Sequence, residues 1–282
     1  MTHTNPDTRH DFVILFDVRD GNPNGDPDAD NMPRIDPETR QGLVTDVSLK
    51  RKVRDYAQRI LDESIFIQSK SALNTVMENV AKEKGIDKPK KGDEAPGLQC
   101  AMIEKFYDIR MFGAVLTTGD YNAGQVRGPV QLTFARSLDP IYQHNLSITR
   151  QARTTEERQE RGGTTEIGRK AITPYGLYRA HGFYNPYLAK RVSEEDLEKL
   201  WEALERMYEF DRSAARGDMA VRGLYVFTHQ DKKGNAHAHK LFENIAVKRT
   251  SNGTSPRAFT DYTVTVNEDL PNGVTLTKLF EG

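Results

Sequence analysis

Phe12-Val13-Ile14-Leu15-Phe16 is an unbroken apolar run bounded by Asp11 and Asp17. A run this short, rich in β-branched and aromatic side chains, predicts a central strand buried on both faces. From Asp20 to Gln41, Gly, Pro, Asn and Asp recur too densely for a regular element to propagate, so this stretch reads as a structured loop or an exposed insertion. Apolar positions then return with helical spacing. Leu49, Val53, Tyr56, Ala57 and Ile60 share one face, and Thr45 or Asp46 stands where an N-cap belongs. Lys50, Arg51 and Arg54 fall on the flank and solvent side of that helix. Ser64 to Gly97 is polar and lysine-rich, which predicts loop or partial disorder.

Tyr107 to Leu116 reads as a second core strand, and the alternation of Pro129 to Ala135 as a half-buried one, with a turn-rich connection at Thr117 to Gly124. Ile148 to Pro174 has almost no apolar content and cannot bury itself, so it is expected to protrude as a hairpin or arm. Tyr175 to Tyr184 resumes strand-like alternation. Ser193 then caps a helix, with Asp196 at the capping-box position and Leu197, Leu200, Trp201, Leu204, Met207 and Tyr208 along one face. Gly223 to His229 supplies a further core strand, followed by a hairpin around Asp231 to Asn235. The order strand, helix, strand, insertion, strand, helix, strand is that of an α+β, RRM or ferredoxin-like sheet. We read residues 1–282 as one such domain, with insertions at about 20–41, 63–105 and 139–175.

Charge changes this picture little. Forty Lys and Arg face 41 Asp and Glu, so any nucleic-acid binding must come from local segregation of charge. Cys100 is the only cysteine, which excludes an internal disulfide or a thiolate metal cluster and fits a reducing compartment. The polar start and the shortness of the first apolar run point to a cytoplasmic protein without a membrane segment.

Asp26, Asp28 and Asp30 have the spacing that opens a calcium loop. The sixth position is Asn31, Pro33 interrupts the loop, and Pro37 stands where a bidentate Glu is required, so an EF-hand is excluded. A magnesium-dependent nuclease would need these carboxylates held rigidly together, and a structural loop is the alternative. His237 and His239 alternate on a possible strand near His229 but lack a further metal ligand of known geometry. No Gly-rich phosphate loop or nucleophile elbow is present, so the chain offers no convincing catalytic set and implies no cofactor. The basic residues fare better. Lys50, Arg51 and Arg54 on the helix, Arg19 at a strand end, Arg127 among glycines and the arginine-rich arm can together track a phosphate backbone.

At these same residues the chain resembles the backbone subunits of the CRISPR Cascade complex, in the RAMP superfamily, most closely those of subtype I-C. The matching pieces are Asn22 to Pro27, Leu43 to Tyr56, Asp108 to Gly113, Val126 to Gln131 and Ser147 to Arg150. The resemblance spans nearly the whole chain, and its specificity lies in the order of the pieces. It implies an RRM-like palm with fingers and a thumb hairpin. Many copies stack as a helical filament along a guide RNA and leave its bases to pair with target DNA, so that pairing reads sequence while protein reads backbone and shape. The implied partners are the guide RNA, the target DNA in heteroduplex, further copies of the chain, the processing endonuclease, large and small subunits, and a recruited helicase-nuclease. The subtype resembled scaffolds without cutting.

On residue type and position, Lys50, Arg51 and Arg54 are then expected on guide phosphates, and Asn22, Asn24 and Arg34 contribute from the loop. Arg127 and its glycines let backbone approach RNA, Arg19 adds a cation, and Arg150, Arg153, Arg169 and Lys170 serve the thumb. Two alternatives stay open. One is a metal-dependent ribonuclease using Asp26, Asp28 and Asp30, because related RNA-targeting proteins place a catalytic aspartate in this loop. The other is an RRM-like interaction protein without a nucleic-acid partner.

Overall fold

The computed structural model describes residues 2–69, 71–90, 93–95, 97–150, 166–250 and 254–282. The chain begins with β1 (His10–Gly21), two short strands β2 (Gly25–Asp26) and β3 (Met32–Pro33), and β4 (Gln41–Val44). Four helices follow, α1 (Asp46–Arg59), α2 (Leu73–Glu83), α3 (Leu98–Lys105) and α4 (Tyr107–Phe112). Then come β5 (Gly113–Val115), β6 (Gln125–Arg127), β7 (Val130–Leu132), β8 (Ala135–Pro140), β9 (His144–Arg150) and the long β10 (Glu166–Tyr184). The remainder is α5 (Glu194–Phe210), β11 (Asp218–His229), α6 (Ala238–Phe242), β12 (Ile245–Arg249), β13 (Tyr262–Val266) and β14 (Val274–Glu281).

The large sheet is antiparallel throughout and runs β14-β11-β1-β10-β8-β4, with β7 and β9 also paired to β10. The pleat of β1 sends alternate side chains to opposite faces. Phe12, Ile14, Phe16 and Val18 pack beneath α1 and α5, while Val13 and Leu15 meet Leu241, Phe242 and Ile245 on the other side. Both faces are therefore covered, as the apolar run requires. Thr45 caps α1 by accepting from the Ser48 amide at 3.2 Å, and Ser193 and Asp196 complete the expected capping box of α5.

Three expectations are overturned. Tyr107 to Phe112 is the helix α4, which Gly113 ends at φ 77° before a strand of only Gly113–Val115. The helix lies between two cores, with Tyr107, Met111 and Phe112 in one and Ile109 in the other, so no polar face marks its period. Ser64 to Gly97 is not loop throughout, because Leu73, Val76, Met77, Val80 and Ala81 form the apolar stripe of α2 against that second core. Asp231 to Asn235 turns from β11 into α6 rather than closing a hairpin, and β11 pairs with β14 instead. His239 is accordingly on a helix. His229 is fully buried, bonded to Asp11 at 2.9 Å and to the Asn235 amide at 2.9 Å, away from any shared site with His237 and His239.

The arm has a clear base. Residues 144–150 pair with 166–172 in an antiparallel ladder, and from Thr173 onward the same strand β10 pairs with β1. Pro174 sits at this handover, opposite Asp20, which takes a positive φ of 47° and leaves the ladder; a residue without an N–H fits where no bond is made.

Candidate nucleic-acid interface

The turn-rich loop after β1 is built from its own side chains. Asn22, 3% exposed, donates to the Asn31 carbonyl at 2.7 Å, and the Arg34 amide donates to the Asn24 carbonyl at 3.0 Å. Asn24 Oδ1 accepts from the Thr45 amide at 2.9 Å, which fastens the loop to the start of α1. At its other side Gln143 Nε2 donates to the Pro33 carbonyl at 2.6 Å, fastening it to the base of the arm. Asp26 accepts from the Asp28 amide and lies 3.3 Å from Arg34, so its carboxylate closes a turn and neutralises a cation. Among the described residues no three His, Cys, Asp or Glu side chains are grouped to hold a metal ion.

Along α1 the three cations diverge. Lys50 Nζ is held by Asp46 at 3.1 Å and Gln131 at 3.2 Å, beside the Phe112 ring, so its ammonium is fixed at the outer edge of β7. Arg51 is exposed and spans Asp55 and the Ser69 hydroxyl. Arg54, expected to face solvent, is buried. It donates to Asp108 at 2.9 Å and lies over Phe112, and Asp108 also accepts from the amides of Phe66 and Ile67. A cation so enclosed holds α1 to α4 and is not presented to a phosphate.

Arg127 is exposed on β6 opposite Gly113, with no ion pair or side-chain hydrogen bond among the described residues. Its neighbour Gly128 is buried, and a Cβ there would run into the backbone of Met111, Phe112 and Gly113, so this glycine serves close internal packing and not an approach by RNA. Arg19 is half-exposed and 4.0 Å from Asp218. Arg169 is exposed and Lys170 half-buried on the arm, opposite Ser147 and Leu146. Arg150 ends β9, and Arg153 lies outside the described residues.

Arm base, loop, α1 and the edge of β7 thus form one connected border. The sequence model of CRISPR-associated protein Cas7 matches residues 8–267. The chain belongs to the Cas7 family. Across 92% of its length it is 26% identical to a CRISPR-associated protein Cas7 of Haloferax volcanii, covering 81% of that protein. A chain from a solved CRISPR RNA-guided surveillance complex, pre-nicking, superposes with a TM-score of 0.54 at 12% identity over 79% of each chain, which shows a shared mixed architecture with a large antiparallel sheet.

Several residues of this Cas7-family border escape a reading of the sequence. Gln131 and Phe112 position Lys50, Gln143 anchors the loop, and Phe134 and Tyr142 stand 52% and 64% exposed. No pattern in the sequence marks these residues, because each acts only through its place in the folded chain.

Proposed function

We propose that this chain is a non-catalytic, guide-RNA-binding backbone subunit, of the kind found in subtype I-C, that oligomerises along the CRISPR RNA spacer in the cytoplasm and presents it to target DNA. The observation that carries this reading is the connected border from the arm base through the loop to Lys50, which aligns cations and polar groups along one path. Family membership supports it. The strand order β11-β1-β10-β8, with α1 and α5 on one face, supports an RRM-like palm forming a single domain with three insertions. The β9–β10 hairpin would be the thumb, with Arg150, Arg153, Arg169 and Lys170 directed to guide or heteroduplex, and the second core around α2 and α3 the fingers. The other Cascade subunits and a recruited helicase-nuclease complete the assembly.

Arg19, Asn22, Asn24, Arg34, Lys50, Arg51 and Arg127 keep their proposed places in the path, Asn22 and Asn24 by shaping the loop, whereas Arg54 moves to a supporting role. The ribonuclease alternative draws no support from Asp26, whose carboxylate is engaged within the loop. The test is co-expression with a matching repeat-spacer array, followed by the absorbance ratio and mass of the purified species. A large particle holding guide-length RNA is expected. An RNA-free monomer from cells that also make the partner subunits would refute the proposal. RNA cleavage that needs magnesium and is lost on replacing Asp26, Asp28 and Asp30 would overturn the non-enzyme assignment.

A further inference from the structure

The two strands of the arm part at its root. Their ladder ends at Ile172 opposite His144 and resumes only at Tyr178 opposite Ser137. Across that gap Thr173, Tyr175, Gly176 and Leu177 stay in register with β1. The other strand turns to β4, where Pro140 stands opposite Gln41 and the Ile141 amide donates to the Arg40 carbonyl at 2.9 Å. A cavity of about 150 Å³ opens between the parted strands, bordered by Pro140, Ile141, Pro174 and Gly176.

What fills the rest of the gap comes from the β12–β13 ribbon. Tyr262, at the start of β13, packs with Tyr175 and Leu177 on the β10 side and with Leu138 on the other, and Val247 and Phe259 join the same cluster. Its hydroxyl donates to Asp139 Oδ2 at 2.6 Å, and Arg249, at the end of β12, donates to Asp139 Oδ1 at 3.3 Å. Asp139 is the only charged residue from Leu138 to Gln143. Burial and this carboxylate push the Tyr262 phenol well above its ordinary range, so it remains a donor. The ribbon is itself anchored. Ile245 clusters with Val13 and Leu15 of β1, and Arg179 of β10 donates to the Ile245 and Phe242 carbonyls at 2.7 and 2.6 Å. On the β10 side Tyr175 donates to Asp17 Oδ2 at 3.1 Å, and Asp17 lies 3.0 Å from Arg222, whose guanidinium sits over Phe259. A wedge bound to both parted strands and rooted on the sheet opposes their closing, spreading or sliding.

We propose that Asp139 and Tyr262 are positioning residues that hold the arm at one angle to the sheet and thereby preorganise it for contact with the next copy along the RNA. The bracing of the arm stands on this geometry, and its consequence for contact between copies rests on the assembly proposed above. An arm ordered beforehand is spared the entropy that a loosely hinged one loses on docking. A merely stabilising cluster would set the melting temperature and leave the direction of the arm unaltered.

The test uses the full-length chain with Cys100→Ser, so that spin labels sit only at Glu198→Cys, on the exposed face of α5, and Ser147→Cys, on β9. Pulsed electron-spin measurements on RNA-free protein give one narrow distance between the labels. Asp139→Ala broadens that distribution about twofold. Tyr262→Phe, which keeps the ring and loses the hydroxyl, broadens it less, and it carries the comparison should the first variant not fold. With guide RNA added, Asp139→Ala raises the protein concentration needed for large particles about tenfold. Unchanged distributions in the folded variants overturn the brace. A broadened distribution with unchanged assembly overturns the preorganisation and leaves the brace. Failure of the unaltered chain to form particles on guide RNA overturns the assembly reading, while the distances decide the brace by themselves.

Discussion

Lys50 and Arg54 are one helical turn apart and have opposite surroundings. Lys50 is fixed at an edge by Asp46 and Gln131, whereas Arg54 is enclosed with Asp108. Replacing Lys50 by Ala should lower the salt slope of RNA binding by about one unit with little change in stability. Arg54→Ala should leave that slope unchanged and destabilise the fold by roughly 3–5 kcal/mol in urea unfolding, because it strands a buried carboxylate. A changed salt slope with intact stability would reverse the assignment. Nothing in the sequence separates these two cations, since Arg54 is identified only by its partner, and Asp108 lies on a segment whose helix is hidden by burial on every side. One buried and one half-buried histidine add a pH dependence. His10, between the Asn5 carbonyl and Thr228, is held to a pKa of about 4 chiefly by burial, and His181 likewise. Both pKa values are depressed below the ordinary 6.5, so their contribution is fully present above about pH 6.5 and is lost as pH falls through 4. Unfolding followed at pH 7, 5.5 and 4.5 should show this loss, at up to about 1.4 kcal/mol per pH unit per group. His10→Gln should flatten the dependence by about one proton, and an unaltered slope would remove His10 from the account.

Among the elements, those legible in the sequence carry either a distinctive run or stripe of apolar positions, a local capping signal, or a marked lack of apolar residues. β1 is legible because it is apolar on both faces, α1 and α5 because stripes and caps agree, and the arm because it lacks apolar content. α4 is not, because six residues between two cores show no period, and α2 is obscured by the lysine-rich sequence around it although its stripe is present. The border was legible in its loop and helix but not in its edge, since Gln131 and Phe112 act on Lys50 only through tertiary contact. Gly128 illustrates the same limit. A glycine beside an arginine invites a ligand reading, yet here it lets β6 and the end of α4 pack backbone to backbone. Gly128→Ala should therefore lower the melting temperature by several degrees, through overpacking of about 1–3 kcal/mol, while leaving RNA affinity of the folded fraction unchanged. Selective loss of affinity with normal melting would restore the ligand reading.

The molecule as a whole joins one sheet, buried on both faces, to a second core reached through α4. None of residues 144–149 and 168–171 of the arm joins an apolar core. Replacing residues 146–170 by a short Gly-Ser link should accordingly leave the melting temperature within a few degrees, while sedimentation of the RNA-loaded material should shift from large particles to small ones. Large particles after that deletion would place the contacts between copies elsewhere. β10 itself joins the two parts, for its 19 residues make a rod of roughly 60 Å that is arm at one end and the middle of the sheet at the other. On that side the arm is a cantilever, clamped between β1 and its neighbours with no hinge loop at its root. A sideways load on its tip would be borne as torque by the β1–β10 ladder, so strain between adjoining subunits would be felt at the centre of each one.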